Sequence, residues 1–163
     1  MDIHQIMIIM RTILSHNIPI EILKFEGVAE YHMGHMGPDE MRQIFDMIRQ
    51  INTLHVLQIS NVEYRMNDLA DLLDQTSLLR VYFNECFIIL DGEDVTRLSH
   101  LLTRHPTLEL LELNGLSRSD ENVVKDFMES FEHIIPKSYR SFGPQYTFGP
   151  SYINIYWKNF LPS

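Results

Sequence analysis

The sequence predicts an α/β fold in which helices cover one face of a curved parallel sheet and leave the other face open. Three observations predict it: a strand pattern that recurs five times in 163 residues, helical periodicity between the copies, and polar residues that alternate with apolar ones inside the strands. We expect a single domain over residues 1–163, because this length suits one compact domain.

The recurring strand pattern places apolar residues at its first, fourth, sixth and ninth positions. In the fourth copy, Leu108, Leu111, Leu113 and Leu116 occupy these positions. The copies start near residues 20, 54, 78, 108 and 152. Constant spacing inside the copies with variable spacing between them is typical of a repeat array that carries insertions.

Stretches with apolar residues three and four positions apart fill the intervals between the strands. We expect helices over residues 39–51, 67–76, 91–104 and 119–134, preceded by a leading helix over 2–15. Pro38 and Asp91 suit the beginnings of two of these helices, and Pro106 suits the end of one. The alternation of helices and strands predicts a parallel sheet.

Polar residues flank the central apolar residue of most strands. Lys24 and Glu26 flank Phe25, and the same alternation recurs around Ile59 and Leu113. A sheet with helices on both faces needs strands that are apolar throughout, so we expect one polar, solvated face. A doubly wound sheet of the flavodoxin or thioredoxin type is the alternative architecture.

The strand pattern resembles the signature of leucine-rich-repeat proteins of the ribonuclease-inhibitor-like type, Leu-x-x-Leu-x-Leu-x-x-Asn/Cys followed by a helix. The resemblance covers residues 20–160 and is closest in the copies that start at Leu78 and Leu108. It implies a horseshoe-shaped solenoid with the parallel sheet on the concave face and the helices on the convex face. The sequence departs from the family in its irregular repeat lengths and at the ninth position, where Cys86 alone keeps the family's residue type.

The resemblance also implies a binding surface, because partners of this family commonly dock on the variable strand positions of the concave face. Tyrosine and arginine are frequent anchors of protein interfaces. Position by position, the implied concave surface consists of Ile22, Lys24, Glu26, Val56, Gln58, Ser60, Arg80, Tyr82, Asn84, Leu110, Glu112, Asn114, Asn154, Tyr156 and Lys158. Of these, the partner-binding residues that we expect are Lys24, Gln58, Arg80, Tyr82, Asn84, Glu112, Asn114, Tyr156 and Lys158. We therefore expect a protein–protein interaction module of the adaptor or substrate-receptor type, such as the receptor of a ubiquitin ligase. A cytoskeletal cap similar to the tropomodulin repeat domain is an alternative.

Charge and cysteine content exclude several other classes. A net charge of −9, from 13 Lys and Arg against 22 Asp and Glu, argues against nucleic acid or an anionic membrane as the main partner and favours a basic partner surface. No apolar run reaches the length of a membrane span, and the N-terminal residues lack the basic start of a secretion signal. With one cysteine no internal disulfide can form, so we expect an intracellular protein of the cytoplasm or nucleus.

The sequence contains no catalytic or cofactor motif. It has no glycine-rich phosphate loop, no nucleophile elbow and no His-Glu-x-x-His pair. Cys86 occupies a repeat position that predicts a buried thiol rather than a nucleophile. We expect no catalytic residues, no cofactor and no small-molecule substrate.

The segment around His32 and His35 supplies the other functional hypothesis, a metal-binding protein. It adds Met33, Met36 and nearby carboxylates to the two histidines, a mixture that suits copper, zinc or nickel. Because a firm fourth ligand is missing, we predict no metal site here, and metal binding stays the alternative.

Residues 141–150 contain Phe-Gly-Pro twice, which predicts a loop with fixed turns. The ends of a solenoid need cover for their core. We therefore expect this loop to cap the array, with contact to a partner as the alternative.

Overall fold

A computed structural model of the chain describes residues 2–27, 37–91, 93–134, 139–144 and 151–159. The helices of this part are α1 (Ile3–Ser15), α2 (Pro38–Ile48), α3 (Met66–Asp74), α4 (Asp94–Arg104) and α5 (Glu121–Ile134). The strands are β1 (Ile22–Glu26), β2 (Val56–Ser60), β3 (Glu63–Arg65), β4 (Arg80–Ile89), β5 (Leu110–Ser117), β6 (Tyr139–Pro144) and β7 (Ser151–Lys158). The predicted α/β class is confirmed, and no described helix is long and apolar enough to cross a membrane.

Local sequence explains where several helices begin. Asp2 accepts a hydrogen bond from the Gln5 N–H at 2.9 Å while the Gln5 side chain accepts from the Asp2 N–H, a reciprocal cap for α1. Pro38 is the first residue of α2, where its missing N–H costs nothing. The helix expected to begin at Asp91 begins at Asp94, because the Asp91 N–H donates to the Asp94 carboxylate (2.5 Å) and forms a turn ahead of the helix.

All strands belong to one mixed sheet with the order β1-β2-β4-β5-β7-β6, in which β3 also pairs with β4. The pairs β1–β2, β2–β4, β3–β4 and β4–β5 are parallel. Strand β7 runs antiparallel to both of its neighbours, β5 and β6. The prediction of a wholly parallel sheet is therefore wrong.

The wrong prediction concerns the copy that starts at residue 152, which lies in β7. A parallel return from β6 would need a crossover of about a dozen residues or more. Only residues 145–150 lie between β6 and β7, so β7 returns antiparallel into the gap between β5 and β6. Of the predicted loop 141–150, residues 141–144 belong to β6 and the remainder lies outside the described residues.

The strand pattern itself cannot indicate the direction of a strand. Apolar residues at the first, fourth, sixth and ninth positions keep the same spacing when the segment is read backwards. The antiparallel strand β7 buries Ile155 and Trp157, the fourth and sixth positions of its copy, as a parallel strand would.

The helices pack against one another in chain order, α1 on α2, α2 on α3, α3 on α4 and α4 on α5. Along the strands, alternate side chains are buried: Leu57 and Ile59 in β2, and Val81 and Phe83 in β4, are all fully inaccessible to solvent. The residues between them are half-buried or exposed. The core therefore lies between one layer of helices and the sheet.

A bulge interrupts the parallel pairing of β4 and β5. The register shifts between Phe83 and Cys86, and Glu85 has a positive φ of 54°. A side-chain carbon on Gly115 would lie 1.9 Å from the Cys86 carbonyl oxygen, so only glycine fits opposite the bulge. Cys86 is buried, and loss of solvent raises the pKa of its thiol to about 12.

We predict that Gly115→Ala destabilises the fold, because its methyl group collides with backbone atoms of the neighbouring strand. Overpacking of this kind costs about 1–3 kcal/mol. The free energy of unfolding from denaturant titration measures the loss. Gly37→Ala is the matched control, since a side-chain carbon there meets only the flexible end of Glu40. Equal stability of the Gly115 variant and wild type would contradict the close approach.

Candidate interaction surface

The side chains that point away from the helical layer form a surface that we call the open face. It is built from alternate residues of five neighbouring strands, which the strand registers place side by side. Its members are Ile22, Lys24, Glu26, Val56, Gln58, Ser60, Arg80, Tyr82, Asn84, Leu110, Glu112, Asn114, Asn154, Tyr156 and Lys158.

The middle of the open face is a continuous row that crosses all five strands. Its residues are paired in order as Lys24, Gln58, Tyr82, Glu112 and Tyr156. These are the five predicted binding residues at the centres of the strand copies. With neighbouring strands about 4.8 Å apart, the row extends over about 20 Å, a suitable length for a bound peptide or helix.

The reversal of β7 exchanges the flanking residues of the open face but leaves the middle row intact. A parallel β7 would place Asn154 beside Leu110; in the structure Lys158 lies there and Asn154 lies beside Asn114. The centre of the segment keeps its partner because a reversal about the central residue moves only the ends. Tyr156 therefore lies opposite Glu112, as a parallel strand would also place it.

One flanking row combines aliphatic and cationic side chains. It consists of Ile22, Val56, Arg80, Leu110 and Lys158. The Arg80 Nε atom lies 4.0 Å from a carboxylate oxygen of the exposed Glu109, and a contact of this kind contributes little to stability. The strand pattern predicts the three aliphatic members on this face, although they are not among the nine predicted binding residues.

The other flanking row is polar and is bonded internally. Asn114 Nδ2 donates to Asn84 Oδ1 at 2.6 Å, and Asn114 Oδ1 accepts from the Glu85 N–H at 2.8 Å. Of the predicted binding residues, Asn114 therefore holds the backbone of the β4–β5 bulge, and Asn84 holds the Asn114 side chain in place. The strand pattern gives no signal for this role, because the bulge is a shift in the pairing of β4 with β5 and leaves the apolar spacing of both strands unchanged.

The charge of the open face differs from that of the whole chain. Three cationic side chains on it, Lys24, Arg80 and Lys158, accompany two carboxylates, Glu26 and Glu112. The net charge of −9 must therefore come from residues elsewhere. The expectation of a basic partner rested on the whole-chain charge, and the composition of this face gives it no support.

The helical layer contains a recess of about 710 Å³ between the C-terminal ends of α3 and α4. Its histidine and arginine side chains have partners within the fold: His105 Nε2 lies 2.7 Å from the Leu73 carbonyl oxygen, and Arg104 Nη2 lies 2.7 Å from His100 Nδ1. Arg97, also in its lining, is paired with Asp71. The recess presents no arrangement of an activated nucleophile and a base.

The hypothesis of a metal site cannot be placed in the fold, because His32 and His35 lie outside the described residues. Within the described ranges, no group of three or more histidine, cysteine or acidic side chains could hold a metal ion.

Besides Cys86, burial shifts the pKa of two groups on the core side of the molecule, Tyr64 and Asp94. Burial raises the pKa of Tyr64 well above its ordinary value, and its hydroxyl has no hydrogen-bond partner among the described residues. Asp94, at the start of α4, is 4% exposed; loss of solvent, with the nearby Asp91 and Asp68, raises its pKa to about 6. Neither residue belongs to the open face.

No protein-family model, no curated protein and no solved structure matches this chain. The open face is therefore defined by the strand registers and the side-chain burial of this chain alone.

We predict that Asp94→Asn stabilises the protein at neutral pH. The folded-state pKa of about 6 lies above the ordinary value of 3.8, so ionisation of Asp94 costs folding stability as the pH rises between these values. At pH 7 the variant should be more stable by about 3 kcal/mol, and the difference should vanish as the pH falls below 4. Unfolding titrations across this pH range measure it.

Asp126→Asn, on the exposed surface of α5, is the matched control for the removal of a carboxylate. A pH-independent difference between wild type and Asp94→Asn would contradict a buried, ionising Asp94.

Proposed function

We propose that this chain is a non-enzymatic, intracellular interaction module that binds a partner protein through the open face. We propose further that residues 20–117 form a short array of the leucine-rich-repeat type. The chain order of the parallel strands β1, β2, β4 and β5 supports the array, as does the single layer of helices between them. The antiparallel pair β6–β7 then completes the sheet at one end.

The observation that carries the binding proposal is the run of Gln58, Tyr82, Glu112 and Tyr156 across four adjacent strands. Tyr156 is 36% exposed, and the other three are half-buried. Tyrosine supplies a large contact area with few rotatable bonds, which makes it a frequent energetic centre of interfaces. Glu112 lies between the two tyrosines and adds a charge that can select the partner's register.

The backbone beneath this row favours a preformed site. Each of the four residues belongs to a strand that is hydrogen-bonded on both sides, so little order has to be gained on binding. A rigid, mixed aromatic and charged surface of this kind suits an adaptor or substrate receptor.

We predict that the double variant Tyr82→Ala, Glu112→Lys loses the partner. The experiment captures binding proteins from source cells with wild type, identifies the retained protein, and then measures its affinity for each variant by calorimetry. Loss of an anchoring tyrosine costs about 2 kcal/mol or more, so affinity should fall by about 30-fold or more.

Asp126→Lys is the control, because it makes the same charge change on the exposed surface of α5. It should bind like wild type. Equal affinity of the double variant and wild type, with both folded by circular dichroism, would contradict binding at the open face.

A further inference from the structure

The end of the sheet at β1 is apolar and lacks a neighbour among the described residues. Among the strands that the structure describes, β1 pairs with β2 alone. Its core-facing side chains Leu23 and Phe25 stay partly exposed, whereas Leu57 and Ile59 of β2 are fully buried. Four of the five exposed large hydrophobic side chains of the described part belong to this end: Ile8, Ile9, Ile18 and Ile22. Exposed apolar side chains concentrated at one end of a protein are typical of an interaction site.

The backbone of β1 has hydrogen-bonding groups directed away from the sheet. The Val56 N–H donates to the Glu21 carbonyl at 3.0 Å, and the Gly27 N–H donates to the Ser60 carbonyl at 2.8 Å. The backbone N–H and C=O groups of the odd-numbered residues of this segment therefore point toward β2. Because backbone groups alternate along a strand, the N–H and C=O groups of the even-numbered residues point outward, where another strand can pair with them.

The charges of β1 select one strand register for a second copy of itself. In antiparallel pairing about Phe25, each Lys24 lies opposite the Glu26 of the other copy. Pairing about Lys24 would oppose two lysines, and pairing about Glu26 would oppose two glutamates. Pairing about Leu23 would leave Lys24 opposite Ile22. The Phe25 register is the one in which opposite charges meet.

We propose that the β1 edge binds a second copy of this chain, in a symmetric dimer formed by antiparallel pairing of the two β1 strands about Phe25. Because the dimer is twofold symmetric, the Lys24–Glu26 contact between the two copies occurs twice. The outward N–H and C=O groups of Lys24 in one copy exchange hydrogen bonds with those of Glu26 in the other copy. The exposed isoleucines lie at the same end of the molecule, where a second copy removes apolar surface from water.

Charge exchange tests this pairing on the full chain, with sedimentation measured over a concentration series. Wild type should show a monomer–dimer equilibrium. Lys24→Glu places carboxylates opposite each other, and Glu26→Lys does the same with lysines, so each variant should raise the dimer dissociation constant by about tenfold or more. An equimolar mixture of the two variants should dimerise with affinity close to that of wild type, because every lysine then meets a glutamate.

The equimolar mixture of the two variants is the decisive measurement. Glu26→Lys alone also loses the hydrogen bond from Asn61 Nδ2 to the Glu26 carboxylate (2.6 Å), so its own effect on dimerisation has two causes. The double variant Lys24→Glu, Glu26→Lys should dimerise like wild type. Tyr82→Ala, Glu112→Lys should also stay dimeric, which separates this interface from binding at the middle of the open face. A wild type that is monomeric at every concentration would overturn the proposal. A dimer that ignores both charge changes, or a mixture that stays monomeric, would overturn it as well.

Discussion

Burial on one face of the sheet is the constraint on which the rest of this structure depends. Leu57, Phe83 and Leu113 point into the helical layer and are fully inaccessible, while their neighbours along each strand stay half-buried or exposed. Full burial of such a side chain contributes about 1.5–3 kcal/mol. A slip of one residue would turn an entire apolar set toward solvent, so the core determines which side chains the open face presents.

The β4–β5 bulge affects both the core and the open face. It also determines which rows of the open face stabilise the sheet and which are available to bind a partner. On one side Cys86 is buried against the space that Gly115 leaves free. On the other side Asn114 bonds the displaced Glu85 backbone and Asn84. The polar flanking row thus stabilises the sheet, and the middle row of the open face supplies the groups proposed for recognition.

The sequence could predict which residues share a face because a period of two does not depend on strand direction. Tyr156 reaches the middle row although β7 runs opposite to the expected direction. The pattern could not predict the direction of the strand, because its apolar spacing is the same when the strand is read forwards or backwards. The short connection between β6 and β7 determines the direction of β7. The amide contacts of Asn84 and Asn114 were equally invisible, because they depend on a bulge that appears only when two strands are paired.

Hydroxyl-radical footprinting of the tyrosines, with and without the captured partner, tests the open face most directly. In the free chain we expect oxidation at Tyr82 and Tyr156 and none at Tyr64, whose side chain is fully buried. In the complex Tyr82 and Tyr156 should both become protected, while Tyr64 stays unmodified. Unchanged oxidation of Tyr82 and Tyr156 in the complex would show that the partner binds elsewhere on the molecule.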